Sequence, residues 1–228
     1  METRSIRLPA KGAELEGELT VTDAAIGLVL FAHGSGSSRH SPRNQYVAQI
    51  LRQAGLGTFL FDLLTYDEEQ AETFTRHLRF NIPFLADRLS SATAWIRREL
   101  SGRNLRLGYF GSSTGAAAAL VAAADQGNAI AAVVSRGGRP DLAGPALERV
   151  RAATLLIVGG EDIPVIPLNE GAYARLTCEK SLKIVPNASH LFEEPGALEA
   201  AAGMASEWFS THLCRNIHGA DRPSGLTG

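Results

Sequence analysis

The sequence predicts an α/β protein built on a mostly parallel sheet, and three observations carry that expectation. Short runs of Val, Ile, Leu and Phe alternate with longer amphipathic stretches from residue 26 onward. The runs are nearly continuous in apolar character, as strands covered on both faces require. Gly, Ser and Pro punctuate the intervals at the positions where helices begin and end.

The inner strands are expected at Leu28 to Ala32, Thr58 to Phe61, Leu105 to Phe110, Ala131 to Ser135, Thr154 to Val158 and Leu182 to Val185. Residues 4–8 and 14–22 alternate in the manner of half-exposed strands and read as a hairpin at the sheet edge. Ser41 followed by Pro42 opens a helix with Val47, Ile50, Leu51 and Ala54 on one face, ended by Gly55. Asn81 with Pro83 opens another, whose stripe is Leu85, Leu89, Ala92 and Ile96. Further helices are expected near 115–125, 168–176 and 195–213. About eighteen residues separate the strands at 131–135 and 154–158, room for a loop and one short helix but not for a lid domain. Residues 1–214 are therefore expected to form one domain, with an open face. The Gly- and Pro-rich stretch 215–228 lacks periodicity and reads as a disordered tail.

Composition narrows the function. The chain has 228 residues, 45% of them hydrophobic, with a formal net charge of -2. No Lys/Arg block appears, so nothing in the sequence points to nucleic acid or anionic lipid, and the expected partner is a small molecule. The two cysteines, Cys178 and Cys214, form neither a CxxC nor a zinc-ligand pattern, so no metal and no cofactor is expected and a reduced, cytoplasmic setting fits. The opening METRSIRLPAKGAE lacks the apolar run of a signal peptide, and no stretch approaches the roughly 18 apolar residues of a membrane span.

The chemistry concentrates in three segments. In LRLGYFGSSTGAAAALVAAADQG an apolar strand runs into Gly111-Ser112-Ser113-Thr114-Gly115 and then an Ala-rich helix. A GxSxG match by itself is weak; between a strand and a helix it describes a nucleophile elbow, with Ser113 on the strained turn and the helix N-terminus facing a developing oxyanion. The alternative is a Gly-rich connector in which Ser113 only caps the helix. A serine hydroxyl needs a base, and the base needs an acceptor that fixes its tautomer. Asp162 follows the strand Thr154 to Val158 and is the candidate acceptor, with Glu161 as runner-up; His190, in KIVPNASHLFEEPG, is the candidate base. His40, His77, His212 and His218 read as solvated surface positions. The oxyanion donors are expected to be the amides of Thr114 and of Ser35, with Gly34 second to Ser35; His33 reads as a holder of that loop. Arg136 leaves a strand at the same edge, where it could read a substrate carboxylate through a bidentate pair; a solvated or ion-paired Arg136 is the alternative.

Together HGSGSSRHSPRNQ, FDLLTYDEE, GYFGSSTGAAAAL, SRGGRPDLAG, LLIVGGEDIPVIPLN and PNASHLFEEPG resemble the dienelactone-hydrolase-like branch of the α/β-hydrolases over about residues 15–212. The resemblance implies an α/β-hydrolase fold with a sheet of about eight strands and no lid, a monomer or homodimer, and Ser113, Asp162 and His190 in the triad positions. In the namesake enzyme the nucleophile is a cysteine; the serine here favours ordinary small carboxylesters, with lactone, thioester and acyl-transfer chemistry as alternatives on the same triad. Two non-hydrolytic readings compete. One is an inactive scaffold. The other is a nucleotide-binding module, suggested by Gly34-Ser35-Gly36 and by Asp62 after the next strand, but Arg39 stands where the third glycine of GxGxxG belongs.

Overall fold

The strong apolar runs become the inner strands of an eight-stranded sheet. The structure, a computed structural model, describes residues 2–10 and 12–214, so the tail expectation for 215–228, and His218 with it, lies outside the described residues. The strands are β1 (Thr3–Ala10), β2 (Ala13–Thr20), β3 (Leu28–Ala32), β4 (Gly57–Phe61), β5 (Leu107–Ser112), β6 (Ile130–Arg136), β7 (Ala153–Gly159) and β8 (Lys180–Val185). Their order is β1-β2-β4-β3-β5-β6-β7-β8. The pair β1–β2 is an antiparallel hairpin, β2 runs antiparallel to β4, and every pairing from β4 to β8 is parallel. This is the expected edge hairpin on a parallel sheet.

Helices cover both faces, which is why β3, β4, β5 and β7 are buried at every position. On one face α1 (Pro42–Gln53) and α6 (Ala197–Leu213) enclose Val29, Phe31, Phe110, Val134 and Ile157. On the other, α3 (Ile82–Glu99), α4 (Thr114–Gln126) and α5 (Ile166–Arg175) enclose Leu30, Phe59, Tyr109, Val133 and Leu156. The helix α4 is apolar all round and almost wholly buried, and its alanines permit close approach to sheet and helices alike.

Two local differences from the sequence expectation have physical causes, and the β6–β7 connection keeps to the loop and short helix expected there. An additional helix, α2 (Tyr66–Thr75), and a 3₁₀ turn at Leu78–Phe80 follow β4. The helix buries only Glu72 and so has no apolar stripe to announce it. Between β6 and β7 the chain forms a 3₁₀ helix, Pro140–Arg149, kinked at Gly144 by a left-handed backbone and followed directly by Pro145. No lid domain covers the sheet among the described residues. The last helix starts at Ala197 rather than Pro195, because Gly196 is in the left-handed region.

Candidate active site

All three candidate catalytic side chains follow the carboxyl ends of different parallel strands, where an open α/β sheet presents its ligand crevice. Ser113 leaves β5 with φ 50° and ψ -125°, a conformation a side-chain-bearing residue adopts only under constraint. The constraint is visible in its surroundings. The Ser113 carbonyl accepts from the amides of Ala116 at 3.1 Å and Arg139 at 3.0 Å. The two elbow glycines are sterically required: a Cβ on Gly115 would stand 2.1 Å from the Ala32 carbonyl oxygen, and one on Gly111 would stand 2.5 Å from Ala116 Cα. Ser113 makes no capping bond to α4, so the connector reading, in which the serine serves the helix, has no support in its side-chain contacts.

Asp162 is buried in the turn after β7, and its Oδ2 lies 2.7 Å from Nδ1 of His190. Glu161, the runner-up acid, is exposed. The two loops are stitched together: the amide of Glu161 donates to the Ala188 carbonyl at 2.9 Å, and Gly159 packs so close to Ala188 that a Cβ would stand 2.2 Å from that carbonyl oxygen. On the far side, the Ser189 amide donates to Glu194 Oε2 at 2.9 Å, a bond that holds the Glu194 carboxyl below its usual range. Gly137 presses on His190 from the strand β6 side, where a Cβ would meet the His190 carbonyl oxygen at 2.8 Å. Gly137 and Glu194 were not singled out from the sequence. The GG pair after β6 and the acidic residues following His190 were their only marks.

Ser113 and His190 line one open groove of about 650 Å³, together with the loop after β3. That loop approaches the elbow closely, since a Cβ on Gly34 would lie 2.8 Å from Ser113 Cβ. The two residues expected to supply oxyanion donors are brought together: Thr114 opens α4, and its Oγ1 lies 3.1 Å from Ser35 Oγ. His33 holds the loop, as expected of it. Its Nε2 accepts from the Leu63 amide at 2.9 Å, which leaves Nδ1 to donate to the Gly34 carbonyl at 3.0 Å.

Two expectations need correction. His212 is not a solvated surface residue: its ring packs against Trp208 at 4.4 Å between centroids and its side chain is 14% exposed. Arg136 is not solvated, and it forms no ion pair among the described residues. It is the last residue of β6, only 6% exposed, in register with Ser112, and its Nε and Nη1 have no hydrogen-bond partner. The Phe192 ring lies nearby, 5.6 Å from its centroid to the guanidinium carbon. Burial first, and then the nearby Arg43 charge, lower the Arg136 pKa to about 10.

The residues that imitated a dinucleotide fingerprint have another use. Asp62 accepts from the Arg39 amide at 2.7 Å and also pairs with the Arg39 guanidinium, which reaches Glu16 at 2.6 Å as well. Among the described residues no group of three or more His, Cys, Asp or Glu side chains could hold a metal ion. No described helix is long and apolar enough to cross a membrane.

No protein-family model matches the chain. The crystal structure of dienelactone hydrolase from Anabaena variabilis superposes with a TM-score of 0.90 at 56% identity, over 93% of this chain and 98% of that one. The chain belongs to the dienelactone-hydrolase-like α/β-hydrolases. More distant members of the fold include a lidless α/β serine hydrolase from Xanthomonas campestris, at 20% identity and a TM-score of 0.75 over 93% of this chain and 95% of that one. A protein of Mycobacterium tuberculosis is 51% identical over 214 residues, 94% of this chain but 47% of its own length, and its name proposes a phosphoribosyl transferase. This dienelactone-hydrolase-like chain thus spans about half the length of the curated relatives it matches.

Proposed function

We propose that this α/β-hydrolase cleaves small, soluble carboxylesters through an acyl-enzyme. Ser113 attacks the ester carbonyl carbon, and His190 takes the hydroxyl proton and returns it to the leaving alcohol. Asp162 holds the imidazole through Nδ1, leaving Nε2 for the serine, and the amides of Ser35 and Thr114 receive the oxyanion. Water then attacks the acyl-enzyme with His190 again as base, releasing the acid and restoring Ser113. The observation that carries this reading is the strained serine at the β5–α4 turn, sharing a groove with an imidazole that a buried carboxylate holds at 2.7 Å.

Phosphoribosyl transfer, the activity proposed in the relatives' name, belongs to chains about twice as long. Displacement at a sugar carbon by an incoming base needs no activated protein hydroxyl, so that reading gives the strained serine no work. The serine in place of the namesake enzyme's cysteine favours simple esters over dienelactone. The test is turnover of p-nitrophenyl acetate or butyrate by wild type and by Ser113→Ala. The variant is expected to fold and to lose roughly 10⁵-fold or more in kcat, as when a triad nucleophile is removed. Undiminished turnover in the variant overturns the assignment.

A further inference from the structure

The cation that lines the groove beside Ser113 has no acidic counterpart among the described residues. Arg136 is more than nine-tenths buried, yet Nε and Nη1 are unbonded, and no carboxylate among the described residues pairs with it. A buried guanidinium without an anion is costly, and a single distant ring does little to offset that. Arg136 lines the groove beside Ser113 and His190, so the anion it lacks can arrive as ligand.

A second and independent feature converges on the same groove. The N-terminus of α1 reaches it through Ser41, Pro42 and Arg43. The Ser41 side chain makes no capping bond, so the first-turn amides of Arg43 and Asn44 are left uncapped by it at the positive end of a twelve-residue helix. Arg43 is half-buried and carries its charge close enough to depress the pKa of Arg136. Among the described residues its ion pair is to the exposed Glu193, at 3.1 Å. Two cations that repel each other across a groove, with an open helix N-terminus beside them, form a trap for a negative group. Among the described residues that line the groove the one carboxylate, Glu69, pairs with neither arginine.

We propose that the Arg136–Arg43 end of the groove is an oxyanion-binding subsite, and that the physiological substrate is an ester carrying a carboxylate or phosphate group seated there. The proposal rests on the serine-hydrolase reading for the word ester, but the subsite itself stands on Arg136 and α1. The bound anion would satisfy the buried guanidinium and position the ester carbonyl over Ser113, so discrimination would appear in kcat/KM.

The test uses the whole chain. Succinate and inorganic phosphate are titrated separately into wild type, Arg136→Gln, Arg136→Lys and Arg43→Gln by calorimetry. At least one anion is expected to bind wild type, with the stronger of the two identifying the group as carboxylate or phosphate. Its Kd should rise at least tenfold in Arg136→Gln, rise severalfold in Arg43→Gln, and recover in part in Arg136→Lys. In parallel, the kcat/KM ratio of mono-p-nitrophenyl succinate to p-nitrophenyl butyrate should fall at least tenfold in Arg136→Gln if the carboxylate arm is the stronger. Should Arg136→Gln not fold, Arg43→Gln and the dependence of wild-type binding on salt decide the matter. Absence of binding by both anions, or equal binding by wild type and the arginine variants, overturns the subsite. Fluorophosphonate labelling of Ser113 in the same preparations separates the two readings, since a labelled protein that ignores both anions contradicts the subsite alone.

Discussion

At the scale of single residues, the arrangement turns on which atoms are held and by what. Ser113 keeps an unfavourable backbone because its carbonyl is bonded twice and two glycines let Ala32 and Ala116 approach. His190 is aimed by one carboxylate. Asp162→Asn keeps the shape of that partner but removes the acceptor charge, so kcat on a p-nitrophenyl ester should fall by about 10³- to 10⁴-fold, whereas the exposed Glu161 can become Gln with little effect. A larger loss in Glu161→Gln than in Asp162→Asn would place the acid one position earlier. That Ser113, Asp162 and His190 gather at one edge of the sheet was legible in the sequence because each lies on the turn or loop that follows an apolar run. Arg136 was legible only as a loop cation at the correct edge. Its burial follows from the register that sets the end of β6 beside Ser112 and from the nearby Phe192 ring, long-range placements that no local pattern encodes.

At the scale of elements, periodicity located what the core demands and missed what it does not. The inner strands and the edge hairpin were readable within a residue or two, since each must match the pleat and the cover of the sheet. The helix α2 was not, because Tyr66 and Phe74 are 76% and 90% exposed and its single buried side chain is an acid. Its start was nonetheless written in Thr65-x-x-Glu68, a complete capping box. Burial by itself would raise the Glu72 carboxyl. The amides of Leu78 and Arg79, the Arg79 guanidinium and the Thr75 hydroxyl outweigh it and bring the pKa down to about 2 from an ordinary 4.5. A depressed carboxyl stabilises the fold above its unfolded value, and that contribution is lost as pH falls toward the folded value. Backbone hydrogen exchange, corrected for its intrinsic pH dependence, should therefore report loosening of residues 65–80 as pH falls from about 5 to about 2. Glu72→Gln should loosen the same segment already at neutral pH and remove most of the acid response. An unchanged acid response in the variant would show that another group controls the segment.

At the scale of the whole molecule, one edge of the sheet gathers everything the proposed chemistry uses. Strands β3, β5, β6 and β8 deliver the Ser35 loop, Ser113, Arg136 and the His190 loop to one open groove, and β7 places Asp162 behind His190. The chain's likeness to dienelactone hydrolase is as close in fold as in sequence, and the fold alone does not decide whether the serine is activated. The measurement that bears most directly on the central claim is intact-mass analysis after exposure to a fluorophosphonate, with peptide mapping of the adduct, because only a serine whose proton is being withdrawn reacts. Stoichiometric modification at Ser113, abolished in Ser113→Ala and strongly slowed in His190→Ala, is the predicted result. No adduct on the folded wild-type protein, or an adduct at Ser112 or Ser35 instead, would contradict the account.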